Sequence, residues 1–318
     1  MNNVNESCAG KNKHHMTDEV DLSAVLRPLY KAKLLIFFVT LTFICGGLVY
    51  GIIHPNIYES KALLSPVSGD NSSISGVAGR LGGLADLAGL NVKEAGGTRT
   101  LVARELLKSK TFIKKFIDKN DMLVPVIAAK GWDHENEEWI FDQGVYIEQT
   151  GKWVRDDGGV GSKPKIIEAA EKFQKQNLNV SEDKETGLIT LTVQSYSPDA
   201  ASEWASLLVD MINKYMQAKD IAESNKKLEY LNNQLAETSN SAMRQVLYNL
   251  IEVETQNLML ANSKDDYVFE VIDPPSKTYE EVKPKMILII ILAAVLGLFC
   301  SVLLVLIFPK LSGSKFLD

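Results

Sequence analysis

Four acidic side chains lie between two tryptophans near the middle of the chain: Asp133, Glu135, Glu137 and Glu138, flanked by Trp132 and Trp139. Glycosidases use a pair of carboxyl groups and aromatic platforms, so this run is compatible with an acid/base pair that cleaves a sugar polymer. Acids that are neighbours in one Asn-containing run are more typical of a solvated loop, because catalytic carboxyls usually come from separate elements. We therefore predict a solvated loop here, with a membrane-tethered glycan hydrolase as the alternative.

The other residue types that could do chemistry form no recognisable site. His14 and His15 are adjacent, but no Cys or carboxylate cluster stands at metal-ligand spacing. The segment 79–83 superficially resembles a nucleotide loop, yet it lacks the Gly-Lys-Ser/Thr of such loops. A G-x-S-x-G motif is also missing. We expect no catalytic residue, no metal and no cofactor, and predict that the chain is a scaffold or interaction protein and not an enzyme.

Charge and cysteine content restrict the partners and the compartment. The 34 Lys and Arg residues against 40 Asp and Glu residues give a formal net charge of −6, and nucleic-acid binding would require a clustered basic face. We therefore expect no nucleic-acid partner. The three cysteines are Cys8, Cys45 and Cys300, so the polar middle of the chain has no thiol to oxidise, which is compatible with an oxidising compartment.

Two apolar segments near the ends are long enough to cross a membrane. Residues 286–308 contain no charge, and 23 helical residues reach about 35 Å, more than the hydrocarbon thickness of a bilayer. Residues 34–53 form a second uncharged segment of 20 residues. A buried core helix is the alternative for the first, and a cleaved signal peptide for the second. We predict two retained transmembrane helices.

The basic residues beside the first span predict the orientation. Arg27, Lys31 and Lys33 precede it, and the positive-inside rule then places the N-terminus in the cytoplasm. Lys283 and Lys285 argue weakly the other way, but long loops translocate largely regardless of charge. We expect a multi-pass protein with both termini in the cytoplasm and the main domain on the outer side of the cytoplasmic membrane.

The polar middle predicts an α+β fold with a long helical arm. Residues 98–119 have the spacing of one amphipathic helix, and 178–180 and 187–193 that of a β-hairpin. Ser197 followed by Pro198 is a helix start, after which neither Gly nor Pro occurs until residue 237. A break at 238–239, a helix over 242–261 and a strand over 267–272 complete the pattern. The fold class is thus two transmembrane helices that bracket an extracytoplasmic α/β base domain with an extended helical arm.

These elements predict the following domains, which are listed in chain order. They are a cytoplasmic tail (1–33), transmembrane helix 1 (34–53), the extracytoplasmic domain (54–285), transmembrane helix 2 (286–308) and a second cytoplasmic tail (309–318). Within the extracytoplasmic domain we expect the base to comprise 54–197 and 263–273, the arm 198–262 and a proline-rich entry 274–285.

Several short motifs, in order between the two spans, resemble one family. They include Ile57-Tyr58-Glu59-Ser60-Lys61-Ala62, Ser197-Pro198-Asp199-Ala200-Ala201-Ser202, Met243-Arg244-Gln245-Val246-Leu247-Tyr248, and the entry from Asp273-Pro274-Pro275 to Lys283-Pro284-Lys285. The chain resembles the chain-length determinant (Wzz-type) polysaccharide co-polymerases along nearly its whole length. It is similar to the kinase-free branch, because no Walker-A motif occurs in these 318 residues.

The resemblance implies a function and partners. It implies a co-polymerase of the bacterial inner membrane, multi-pass, with both termini cytoplasmic and the main domain (54–285) periplasmic. Such a protein regulates the chain length of a lipid-linked surface glycan, typically the O-antigen of lipopolysaccharide. The implied partners are further copies in a homo-oligomeric ring, a Wzy-type polysaccharide polymerase, the lipid-linked glycan and the membrane. Alternatives are a structural envelope spacer, or a co-polymerase for enterobacterial common antigen, capsule or exopolysaccharide.

Two sets of residues are the candidate functional positions. The family motif at the membrane entry supplies Pro274, Pro275, Pro284 and Lys285. Small residues permit close approach of membrane helices, and the spacing of such residues singles out Gly46, Gly47, Gly297 and Ser301 for transmembrane packing. Ordinary tolerance of glycine in lipid-embedded helices is the alternative for this second set.

Overall fold

The computed structural model describes residues 30, 32–67, 95–154, 163–264 and 266–307. Predictions for His14, His15, residues 79–83 and the two tails lie wholly or mainly outside these ranges. The helices are α1 (Lys33–Ile53), α2 (Ala95–Leu107), α3 (Lys110–Lys119), α4 (Leu123–Ala128), α5 (Ile166–Lys172), α6 (Pro198–Glu237), α7 (Ser241–Ser263) and α8 (Met286–Ile307). The strands are β1 (Ile57–Pro66), β2 (Ala129–Asp133), β3 (Glu138–Phe141), β4 (Tyr146–Ile147), β5 (Lys152–Trp153), β6 (Leu178–Glu182), β7 (Ile189–Ser195), β8 (Phe269–Asp273) and β9 (Glu281–Lys283).

The chain divides into two compact units. The helix-pair unit contains α1 and α8, and the sheet unit comprises His54–Pro284. Mixed helix and sheet between two apolar helices confirms the predicted α+β fold class.

The sheet unit is built on a five-stranded antiparallel sheet. Its strands lie in the order β6-β7-β1-β8, and β9 also pairs with β1. The predicted hairpin is confirmed, since β6 and β7 pair from Leu178↔Val193 to Glu182↔Ile189. Two small ribbons, β2-β3 and β4-β5, lie outside this sheet.

One face of the sheet carries the apolar core. Alternate residues of β1 and β7 point into it and are fully buried, namely Ala62, Leu64, Ile189, Leu191 and Val193. Helix α6 packs against both strands through Trp204, Leu208 and Ile212, and α3 adds Phe112 and Phe116. The period of two in the strands therefore decides which face the helices cover.

The single helix expected over 98–119 is wrong, because the chain breaks between α2 and α3. Lys108 N and Ser109 N donate to carbonyls three residues earlier, which tightens and ends α2. Ser109 is then extended, with φ −80° and ψ 127°, before α3 begins. The break lets both Leu107 and Phe112 enter the core, where they are 0% and 2% exposed.

The long helix α6 begins and ends where the sequence predicts. Ser197 Oγ accepts a hydrogen bond from Ala200 N at 3.3 Å, and Pro198 occupies the first turn. Forty residues give α6 a length of about 60 Å. Gln217 Nε2 donates to Ala261 O and Lys264 O at 2.8 and 2.9 Å, so α7 returns antiparallel to α6.

The acidic run between the tryptophans lies at the exposed turn of hairpin β2-β3, so the predicted solvated loop is confirmed, with a strand on each side of it. Trp132 pairs with Trp139, and Asp133 with Glu138. The two indoles meet edge to face with centroids 5.2 Å apart, and Trp139 also stacks on Trp204 at 6.0 Å. A cross-strand aromatic pair that continues into the core explains why this polar segment is ordered.

Candidate functional site

The two ends of the sheet unit meet at one edge of the sheet. Strand β9 pairs with the start of β1, with Ile57 opposite Lys283 and Tyr58 opposite Glu281. Asn56 Nδ2 also donates to Glu281 Oε1, across 225 residues of sequence. Since His54 and Pro284 bound the unit, both of its connections to the apolar helices leave from neighbouring strands.

The proline-rich segment before β9 is held to the sheet and to the start of α6. Ser60 Oγ donates to Ser276 O at 2.9 Å, and Ser202 Oγ donates to Pro275 O at 3.2 Å. Lys277 forms an ion pair with Asp199 in the first turn of α6. The hydrogen bond and charge of Asp199 raise the pKa of Lys277, and Tyr279 and Glu137 add to this effect.

The predicted entry residues lie in and after this segment, which is held by these three contacts. Pro274 is exposed and Pro275 partly buried, and the peptide bond before Pro284 is cis. Lys285 is exposed at the start of the helix-pair unit, and its carbonyl accepts a hydrogen bond from Ile289 N at 3.1 Å. Their role in membrane entry stays a prediction.

A polar network on the sheet face opposite the core ties β9 to the central strands. Glu59 accepts from Gln194 Nε2 at 2.7 Å and pairs with Lys61 at 2.8 Å. Lys283 Nζ in turn donates to Gln194 Oε1 at 3.0 Å. Burial alone would raise the pKa of Glu59, but the hydrogen bonds of Lys61 and Gln194, with the charges of Lys61 and Lys283, lower it below its usual range.

Of the four small residues predicted for packing, Gly47 and Gly297 lie where α1 and α8 contact each other, and Ser301 is buried on α8. A Cβ on Gly297 would stand 2.9 Å from Phe43 Cβ and 3.1 Å from Thr40 Cα. One on Gly47 would stand 3.0 Å from Ala293 Cβ. Ser301 is fully buried, and its hydroxyl donates to Leu298 O at 2.7 Å.

Gly46 differs from these residues. A Cβ built on it would have nothing within 4 Å, so it lies away from the contact between α1 and α8. A Cβ on Gly51, four residues after Gly47, would instead meet Met286 Sδ of α8. The functional importance of all these positions stays a prediction.

The geometry of the acidic hairpin does not resemble a catalytic acid/base pair. The Asp133 carboxylate accepts from Glu135 N, Asn136 N and Asn136 Nδ2 at 2.9, 3.3 and 2.9 Å. The Asn136 side chain, followed by the two backbone amides, lowers the pKa of Asp133, whereas a general acid requires a raised one. Among the described residues, no three His, Cys, Asp or Glu side chains are grouped to hold a metal ion.

Sequence reasoning missed strand β9 and the buried side chain of Asn213. Three residues of β9 are too few to show a period of two, and only Val282 among them is apolar. Asn213 is 4% exposed within an otherwise apolar stripe of α6. Its position in the predicted apolar stripe was the sequence feature that could have indicated a buried polar contact.

Two family models match the chain. Residues 18–120 match the chain length determinant protein (Wzz), and residues 232–308 match the G-rich domain on putative tyrosine kinase (GNVR). Together the two matches cover more than half of the chain. No curated protein is significantly similar in sequence.

The comparison with solved structures matches two co-polymerases. A full-length bacterial polysaccharide co-polymerase is 13% identical, with a TM-score of 0.39, and the match covers 92% of this chain and 98% of the other. A fragment of WzzB, a polysaccharide co-polymerase from Salmonella Typhimurium, is 12% identical with a TM-score of 0.27, over 72% of this chain and 100% of the fragment. Both TM-scores lie below 0.5, so neither structure supports a conclusion by itself.

The two family matches decide the family but not its branch. The second model is named for putative tyrosine kinases, which points toward the kinase-associated branch. Assignment to the kinase-free branch therefore stays a prediction that rests on the missing Walker-A motif. The chain belongs to the chain-length determinant (Wzz) family of polysaccharide co-polymerases, whose members regulate chain length and are not enzymes.

Proposed function

We propose that this protein regulates the length of a lipid-linked surface glycan, the O-antigen of lipopolysaccharide, at the bacterial inner membrane. Helices α1 and α8 cross the membrane, residues 54–285 are periplasmic, and both termini are cytoplasmic. Several copies form a ring that contacts both a Wzy-type polymerase and the growing glycan. No covalent chemistry by this chain is required.

The pairing of β1 with β9 is the observation that carries the proposal. It brings both ends of the sheet unit to one edge, and each end continues within three residues into a helix apolar and long enough to cross a membrane. Arg27, Lys31 and Lys33 before α1 support the cytoplasmic placement of the termini.

Self-assembly is supported by the outer surface of α7. Three apolar side chains at helical spacing on one stripe of this helix remain about half exposed in the single chain, namely Met243, Val246 and Leu250. Exposed apolar side chains grouped on one helix are typical of surfaces that contact another protein. A second copy, packed along the same helix, would cover them.

The test is the glycan profile of a deletion strain. We expect surface polysaccharide without a preferred chain length on a gel, and recovery of that length when the full chain is restored. Altered envelope integrity with an unchanged length distribution would overturn the proposal and favour a structural spacer. A length change confined to common antigen, capsule or exopolysaccharide would replace the O-antigen as the regulated glycan.

A further inference from the structure

Hairpin β2-β3 lies against the residues that follow helix α1. A Cβ on Gly131 would stand 3.8 Å from Pro55 Cβ and 3.6 Å from Ile140 Cδ1. At the turn of the hairpin, His134 Nε2 and the Tyr58 hydroxyl are 2.7 Å apart, and their rings meet edge to face at 5.2 Å. Contacts at both the strand and the turn therefore fix the hairpin beside the start of β1.

The peptide chain limits the distance from this hairpin to the end of α1. Pro55 follows Ile53, the last residue of α1, by two residues. Two residues of extended chain span at most about 7 Å, whatever the arrangement of the two units. The position of this hairpin relative to a membrane rests on the proposed function, in which α1 crosses the membrane. Pro55 and its neighbours in the hairpin then lie at the level of the lipid headgroups.

Two exposed side chains near the start of β1 are of types that suit the interface between lipid and water. Ile140 is 48% exposed, although its neighbour in the hairpin, Trp139, packs against Trp204 in the core. Tyr279 is 70% exposed and lies two residues before Glu281, which pairs with Tyr58. Tyrosine is enriched where apolar and aqueous surroundings meet, since its ring is apolar and its hydroxyl is polar.

We infer that Ile140 and Tyr279 form a membrane-contacting rim that rests in the headgroup region of a zwitterionic bilayer. The charge of the hairpin turn selects this kind of surface. Glu135, Glu137 and Glu138 are all exposed beside the rim, and an anionic lipid surface would repel them. The rim would steady the sheet unit against the membrane at a point separate from its two covalent connections.

Three positions of equal exposure allow a matched test. Ile140, Tyr248 on α7 and Leu296 on α8 are each 48% exposed in the chain. The full chain, with its three cysteines replaced, is prepared as Ile140→Cys, Tyr248→Cys and Leu296→Cys, labelled with a nitroxide and placed in phosphatidylcholine vesicles. Spin relaxation by oxygen, which concentrates in lipid, is compared with relaxation by a water-soluble nickel chelate.

The measured quantity is the ratio of the spin relaxation caused by oxygen to that caused by the nickel chelate. We expect this ratio at position 140 to be at least about twofold higher than at position 248 and lower than at position 296. Replacing half of the lipid with an anionic one should lower the ratio at 140 and leave that at 296 unchanged. If the ratios at positions 140 and 248 were equal while the ratio at 296 was that of a label in lipid, the proposed rim would be refuted and the proposed function would stand. A water-like label at 296 would instead overturn the membrane crossing itself.

Discussion

Asn213 of α6 and Phe269 of β8 are joined by two buried hydrogen bonds, although they are 56 residues apart in sequence. Asn213 Nδ2 donates to Phe269 O at 2.8 Å, and Phe269 N donates to Asn213 Oδ1 at 2.9 Å. The same Oδ1 accepts from Val268 N at 3.0 Å. One amide side chain thereby fixes the start of the strand that leads the chain back toward the proline-rich segment.

The first prediction concerns this contact. Asn213→Leu keeps the size of the side chain but leaves two buried N–H groups and one carbonyl without partners, so we expect a loss of about 2–4 kcal/mol in the free energy of unfolding. Chemical unfolding of the detergent-solubilised chain measures it. Asn262→Leu removes one exposed bond to Leu258 O and should cost less than about 0.5 kcal/mol. Equal losses in the two variants would contradict the prediction.

The second prediction concerns the contact between α1 and α8. Gly297→Leu places a side chain against Thr40 and Phe43, so we expect destabilisation of about 1–3 kcal/mol and altered glycan length. The control is Gly46→Leu, since nothing stands within 4 Å of a Cβ there. Thermal unfolding, the size of the complex in mild detergent and the polysaccharide gel are compared. Unchanged oligomer size and chain length in Gly297→Leu would defeat the packing hypothesis.

The third prediction concerns the hydrogen bond that holds the proline-rich segment to β1. Ser60 is 1% exposed, and Ser60→Ala removes its hydrogen bond to Ser276 O. We expect a cost of about 1 kcal/mol and faster amide hydrogen exchange over residues 276–283. Ser65→Ala, which loses only a contact of 3.5 Å to Pro66 O, should leave that exchange unchanged. Unaltered exchange in Ser60→Ala would show that the segment is held by other contacts.

The fourth prediction is a pH dependence caused by Glu59. Its pKa is lower in the folded chain than in the unfolded chain, so the unfolded state binds its proton more readily as the pH falls. The stabilisation is therefore present above the ordinary glutamate pKa of about 4.3 and is lost as the pH decreases through the folded value.

Glu59→Gln removes this contribution. The decline in unfolding free energy from about pH 5 to pH 3 should become shallower than in the natural chain. Glu229→Gln, at an exposed position of α6, should leave the decline unchanged. Parallel pH profiles for the natural chain and Glu59→Gln would refute the role of the network.

The sequence by itself determined the local elements and the class of the protein. Hydropathy located α1 and α8, and period-two alternation located the β6-β7 hairpin. The Ser197 cap and the absence of Gly and Pro located both ends of α6, because capping and helix propensity act within a few residues. Ordered motifs between the two spans indicated the family, and the family matches confirmed it.

Only the tertiary structure decided how these elements meet. Strand β9 is too short to be stable alone, and it exists because β1 supplies its hydrogen bonds across more than two hundred residues. The acidic run lies at the turn of a hairpin that Trp139 holds by stacking on Trp204. The chain breaks between α2 and α3, and both Leu107 and Phe112 are buried in the same core. Gly46 and Gly47 are adjacent in sequence, yet only Gly47 faces α8, since a turn of 3.6 residues places successive side chains about 100° apart. Such contacts depend on partners distant in sequence, which local patterns do not specify.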